Sequence, residues 1–209
     1  MRHQKKRWLA ALLTLCMLLS ILPSISLAFG ESEETWSGNR TNQTIDGGTH
    51  TITLSNLTID SPGLGKSAID ITGNADVTFI LEGNNTLSGR PNHPAIWVQS
   101  GSSVTFEGTG TLNTSAGGTT PGFGAAGIGG GYGASSNFGN ITINGGTIIA
   151  RGSGGGAGIG GGYEVGSGTV TGNVTINGGY VTAIGGSSGS TGGAGIGSGE
   201  NANYSGTVT

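Results

Sequence analysis

Cysteine is almost missing from this chain of 209 residues, and charge is scarce. The single Cys, Cys16, lies inside an N-terminal apolar run. Nothing downstream can therefore form a disulfide, a thiolate metal site or a cysteine nucleophile. Basic residues are rarer still after position 28. Arg40, Lys66, Arg90 and Arg151 stand against 11 acids, and four against eleven leaves −7. That balance argues against nucleic acid and against an anionic membrane surface as partners. The longest apolar run, Trp8 to Leu22, has about 15 residues, where a membrane span needs ~20. With only 5 Pro and no three-residue Gly period, the chain is not collagen-like. What is abundant is Gly, with 46 residues. Each Gly costs roughly 1 kcal/mol relative to Ala inside a helix, so long helices are disfavoured. A Gly-rich all-β repeat protein or a disordered tract remains.

The first 28 residues read as a signal peptide. Arg2, Lys5, Lys6 and Arg7 precede the apolar run, Pro23 breaks it, and Ser26-Leu27-Ala28 is a small-x-small cleavage site. Export is the expectation, with no membrane insertion after cleavage. Residues 29–50 are polar and acidic and are expected to form a leader that caps the repeat region.

The rest repeats. Residues 139–152 read GNITINGGTIIARG, and residues 172–185 read GNVTINGGYVTAIG. AGIGGG occurs at 126–131 and 157–162, and AGIGSG at 194–199. Self-similarity at a period of 20–50 residues marks stacked architectures. A less Gly-rich form extends upstream through three landmarks in fixed order. One is Val77-Thr78-Phe79, Val104-Thr105-Phe106, Ile141-Thr142-Ile143, Val174-Thr175-Ile176 and a final Val208-Thr209. The next is Thr58-Ile59, Thr86-Leu87, Thr111-Leu112, Thr147-Ile148 and Tyr180-Val181. The third carries Ile69, Ile96, Ile128, Ile159 and Ile196.

Each landmark alternates as a half-buried strand does. Short strands cannot bury their apolar side alone, but coils stacked ~4.8 Å apart can. Stacking would align Phe79, Phe106, Ile143 and Ile176 in one interior column and the five Ile residues in a second. Leu87, Leu112, Ile148 and Val181 would form a third. The predicted fold is all-β: a right-handed parallel β-helix, or β-solenoid, of about five coils over residues 51–209. Gly serves the corners because it reaches positive φ without steric cost. Asn144 and Asn177 fall at one corner, where their side chains can bond along the stack. The chain stops within a first-landmark strand, which reads as truncation of a longer surface protein.

Few motifs carry chemistry. Gly63-Leu64-Gly65-Lys66-Ser67 resembles the end of a phosphate-binding loop, but Asp60 stands where a Gly is required. Gly156-x-Gly158-x-x-Gly161 is cheap in so Gly-rich a segment and leads into strand, not helix. The Gly runs lack the Asp that a Ca²⁺-binding nonapeptide needs. Glu82 and Glu107 align on adjacent coils, where stacked carboxylates would need a cation or a shared proton. They are the candidate Ca²⁺ site or hydrolase pair, set against a plain solvated corner. No other cofactor is indicated, and no catalytic residue is assigned. His93, between Pro91 and Pro94, reads as a turn residue.

Sugar binding needs exposed flat aromatics with polar groups beside them. Trp97 alternates with Ile96 and Val98 and should point outward, with Asp70 at its equivalent one coil earlier. Tyr132 and Tyr163 follow the two AGIGGG motifs, and Tyr180 faces outward beside Val181. The five are candidate glycan contacts; the alternative is that the rings cover Gly-rich corners. A Thr column (Thr78, Thr105, Thr142, Thr175, Thr209) can order water on a flat face, as in ice-binding solenoids, but β-propensity on an exposed strand is the usual reason, and a stalk or adhesin role fits it better.

The stretch GNADVTFILEGNNTLSGRPNHPAIWVQSGSSVTFEGTGTLNTSAGG (73–118), followed by AAGIGGG and GNITINGGTIIARG, resembles secreted bacterial proteins described as carbohydrate-binding domain-containing. These are Gly-rich β-helix repeat surface proteins, and the resemblance covers roughly residues 45–209. It implies a β-helix, surface display and a polysaccharide or host or cell-wall glycan as partner. The expectation is therefore a non-catalytic, cell-surface protein that binds glycans or adheres. A structural stalk is the first alternative and a β-helix polysaccharide lyase or hydrolase the second.

Overall fold

In Asp76-Val77-Thr78-Phe79-Ile80-Leu81-Glu82 every second residue is apolar and β-branched or aromatic residues predominate, the pattern that fits a pleated, half-buried surface. A computed structural model of the chain, describing residues 34–60, 65–118, 123–133, 136–166 and 168–209, folds that segment as a strand. Val77, Phe79 and Leu81 are buried, and Asp76 and Glu82 are exposed. The signal peptide, residues 29–33 and the Gly63-Leu64 part of the loop motif lie outside the described residues. The described residues are all-β and contain no helix.

The strands fall into three parallel ladders, each joining a strand to its equivalent one pass of the chain later. The first contains β1 (Glu34–Asn39), the front of β3 (Thr49–Ile59), β5 (Asp76–Glu82), β8 (Ser103–Gly108), β11 (Asn140–Ile143) and β15 (Asn173–Ile176). The second runs from the end of β3 through β6 (Asn84–Pro91), β9 (Thr111–Gly117), β12 (Thr147–Arg151) and β16 (Tyr180–Ile184). Because β3 spans both, these two ladders form one 10-stranded sheet. The third is a 6-stranded sheet of β2 (Gln43–Asp46), β4 (Ile69–Thr72), β7 (Ile96–Val98), β10 (Ile128–Gly129), β13 (Ile159–Gly160) and β19 (Ile196–Gly197). Two small pairs complete the described strands: β14 (Gly168–Val170) with β20 (Ala202–Tyr204), and the hairpin of β17 (Ser187–Ser188) and β18 (Thr191–Gly192). Among the described residues strand pairing thus starts at Glu34, inside the polar segment 29–50 that the sequence sets apart. Trp36 of β1 is buried, 6.3 Å from the Phe79 ring.

Two of the three expected columns stand in register. Ile52, Phe79, Phe106, Ile143 and Ile176 pair in succession, with 5.9 Å between the two Phe rings. Ile69, Ile96, Ile128, Ile159 and Ile196 do the same in the third ladder. The remaining column is corrected by two residues. Leu112 pairs with Asn85, not Leu87, and Leu87 pairs with Thr114. One interior column of the second ladder therefore reads Asn85, Leu112, Ile148, Val181, and its neighbour reads Ile59, Leu87, Thr114, Ala150, Ala183.

Asn85 has no exposed surface, so its amide must be satisfied inside the protein. Its Oδ1 accepts from the Leu57 N–H at 2.9 Å. Its Nδ2 donates to the carbonyls of Glu82 at 3.0 Å and Thr111 at 3.2 Å. The side chain stands in for backbone pairing where β5 bends into β6. At the outer corner, Asn177 Nδ2 donates to Asn144 Oδ1 at 2.9 Å, as the stacked Asn pair predicts.

The AGIGGG repeat has a conformational cause. Gly129 and its equivalent Gly160 hold φ of 131° and 132°. A Cβ on Gly129 would sit 2.0 Å from the Gly160 carbonyl oxygen, and one on Gly160 would sit 1.9 Å from that of Gly197. Only Gly permits both the angle and the close approach of successive passes.

Candidate functional site

The third ladder positions Trp97 and Asp70. Ile96 and Val98 are buried, so alternation turns Trp97 to the opposite face, where it is half-buried. Asp70 is its partner across the ladder. The chain entering β7 passes through Asn92-His93-Pro94, and this places the His93 ring 5.6 Å from the Trp97 ring, edge to face. Lys66 and Ser67, just before β4, complete the surroundings of Asp70.

This corner carries unused hydrogen-bonding capacity. Asp70 Oδ1 and His93 Nδ1 are buried and bond no protein group among the described residues, and the buried Ser67 hydroxyl lies beside the Asp70 carboxyl. Buried polar atoms are ordinarily satisfied by protein groups or by ordered water, so this corner is a polar, incompletely paired patch beside the half-buried Trp97. Burial pushes the Asp70 carboxyl above its ordinary value of 3.8; the nearby Ser67 hydroxyl and the positive fields of His93 and Lys66 pull it partly back. Burial likewise holds the His93 imidazole below 6.5, against the opposing pull of Asp70. His93 closes a turn, as its flanking prolines suggest, with its N–H donating to the Arg90 carbonyl at 2.8 Å, and its ring also lies against Trp97. The signal for that contact lies in its place at the bend feeding the Trp97 strand.

Tyr132 and Tyr163 come together in a stack that the sequence leaves open. Their ring centroids are 6.0 Å apart at 20°, and Phe123, which no motif singles out, stacks on Tyr132 at 5.3 Å and 27°. Stacking occupies both faces of Tyr132, so a ligand would meet its edge and hydroxyl, and the outer side of Phe123, which is 47% exposed. Tyr163 Oη accepts from Asn201 Nδ2 at 2.8 Å. The stack and the Trp97 corner share one edge of the fold. The Tyr132 N–H donates to the carbonyl of Asn92, the residue before His93, at 3.2 Å. Tyr180 stands apart, 81% exposed on the second ladder, beside a depression of about 280 Å³ lined by Gly108, Gly145, Thr147 and Gly179.

The stacked carboxylate pair does not form. Glu82 pairs with Ser55, and Glu107 pairs with Ile80. Both are exposed, and Glu107 Oε1 accepts from Asn144 Nδ2 at 3.2 Å. The same two-residue offset that displaces Leu87 separates them. Among the described residues no three His, Cys, Asp or Glu side chains gather as a metal site. Searches against protein-family models, curated proteins and solved structures find no match to this chain.

Proposed function

We propose that the three ladders close into a right-handed parallel β-helix that binds glycans along one edge, on an exported, cell-surface protein without catalytic activity. The observation that carries this reading is the Trp97 corner. A half-buried indole lies beside Asp70 and His93, whose buried polar atoms lack partners among the described residues. A sugar ring presents one apolar C–H face and a rim of hydroxyls, and an aromatic platform with flanking acceptors and donors complements both. Two further supports are the Phe123–Tyr132–Tyr163 stack on the same edge and the net charge of −7 after position 28, which argues against nucleic acid as the partner.

The stalk reading is favoured by the same ladders without the corner, and one comparison separates the two. Retention on immobilised polysaccharides is measured for the wild type, Trp97→Ala and the triple variant Trp97→Ala/Tyr132→Ala/Tyr163→Ala. Loss of a central aromatic contact typically weakens binding by about 2 kcal/mol, or roughly 30-fold. Retention unchanged in a folded triple variant would leave the stalk. Release of new reducing ends or unsaturated sugars would instead establish a degrading enzyme.

A further inference from the structure

Residues 29–209 contain four cations, and three are engaged within the protein. Arg40 lies over the Trp36 ring at 5.7 Å, Lys66 interacts electrostatically with Asp70 and His93, and Arg90 has its own contact. Of the four, only the Arg151 side chain has no hydrogen bond, ion pair, ring contact or electrostatic partner among the described residues. It is exposed at the end of β12, between Ser115 of β9 and Ile184 of β16. Its surroundings are concave. A depression of about 350 Å³ is lined by Arg151, Ser115, Ser153, Ser187 and the backbone of Gly152 and Gly186. That volume is at the small end of ligand pockets, ~300–1,000 Å³.

The walls are built in. A Cβ on Gly152 would lie 2.3 Å from the Ala157 and Gly156 carbonyl oxygens, and one on Gly186 would lie 2.3 Å from the Ser153 backbone. The floor is fixed by Ser153 Oγ, which donates to the Gly117 carbonyl at 2.8 Å. The depression also adjoins the Trp97 corner. The Gly117 N–H donates to the His93 carbonyl at 3.2 Å, and Gly118, its neighbour, lines the depression. A guanidinium fork matches a planar carboxylate in two parallel hydrogen bonds, and the flanking serine hydroxyls suit the remaining oxygens of a sugar.

We infer that Arg151 and its serine- and glycine-walled depression bind the carboxylate of a uronic-acid residue, so that the glycan held at Trp97 is an acidic polysaccharide. The inference rests on the glycan-binding reading. Selectivity comes from geometry: the guanidinium fork matches one planar carboxylate, while a sulfate ester lacks that planar pair of oxygens and the other three cations are engaged within the protein.

The test titrates the protein with short oligogalacturonates, with their carboxyl-reduced neutral counterparts and with a sulfated neutral oligosaccharide. The variants are Arg151→Gln, Arg151→Lys and Trp97→Ala, each checked for an unchanged circular dichroism spectrum. Wild type is expected to prefer the uronate form by about tenfold, the worth of one charge-assisted contact. Arg151→Gln should erase the preference while neutral binding survives, Arg151→Lys should keep part of it, and Trp97→Ala should weaken both forms equally. Equal binding of uronate and neutral forms by the wild type, or a preference that survives Arg151→Gln, overturns the inference and leaves the glycan reading standing. So does tighter binding of the sulfated form. No binding of any oligosaccharide overturns both.

Discussion

Replacing Asn85 with Ala removes a side chain that no solvent reaches and that satisfies three backbone groups. The largest loss is at Leu57, whose N–H is left buried without an acceptor, a penalty of about 1–3 kcal/mol. The carbonyls of Glu82 and Thr111 each lose a donor but keep other lone-pair options, at about 0.5–1 kcal/mol each. The expected destabilisation is about 2–5 kcal/mol. Asn84, the preceding residue, is exposed, and it is its backbone N–H, not its side chain, that bonds Asn56 Oδ1 at 3.1 Å. Asn84→Ala should therefore cost less than about 0.5 kcal/mol. Guanidinium unfolding followed by circular dichroism compares the pair, and hydrogen exchange at the Leu57 amide localises the effect. Equal costs for the two substitutions, or an Asn85→Ala protein with wild-type protection at Leu57, would refute the internal role of Asn85 and the register built on it.

Two further substitutions probe the fold, and two more the corner. Gly129→Ala forces a Cβ to 2.0 Å from a carbonyl oxygen at a φ of 131°, and should lower stability by at least about 2 kcal/mol in thermal unfolding. Gly189→Ala, with positive φ but nothing within 4 Å, should cost only about 1 kcal/mol, and a reversed order would contradict the close stacking. The folded protein holds the His93 proton less tightly than the unfolded chain does, so stability is lost as pH falls below 6.5 through the folded value. Asp70 acts in the opposite sense: its proton is held more tightly when folded, so stability declines as pH rises from 3.8 through the raised value. Urea unfolding across pH should show His93→Gln losing less stability than wild type on acidification below 6.5, and Asp70→Asn gaining relative to wild type at neutral pH. Curves parallel to wild type would mean that neither group is buried as described.

Much of this architecture is legible in the sequence because strand alternation and Gly-marked corners repeat together. Val77, Phe79, Val104, Phe106, Ile141 and Ile143 sit where their pattern puts them. The second ladder escapes that pattern for an identifiable reason. Between the passes containing β5 and β8 the pairing step is 27 residues, and between β4 and β7 it is also 27. Matching Leu87 to Leu112 requires 25. A shift of two preserves which face a residue occupies, so alternation alone accepts both registers. The unequal step is the available clue, and a polar Asn in an apolar column hides it. Pairing Glu82 with Glu107 carries the same error. At the candidate site, Trp97 opposite Asp70 follows from register, whereas His93 and Phe123 do not. Both lie in irregular segments, where no period fixes the direction of a side chain. The Arg151 depression is equally hidden, because it depends on how corners of unequal length fold over β12.

The central claim is that Trp97, on the outward face of the third ladder, is the platform on which a sugar rests. Residues 29–209 contain two tryptophans, and Trp36 is 4% exposed in the core, so its indole N–H resonance is an internal control. Titration with a polysaccharide fragment retained by the protein, followed by two-dimensional NMR, should shift the Trp97 indole signal saturably and leave Trp36 in place. A bound fragment that moves neither signal would contradict the account.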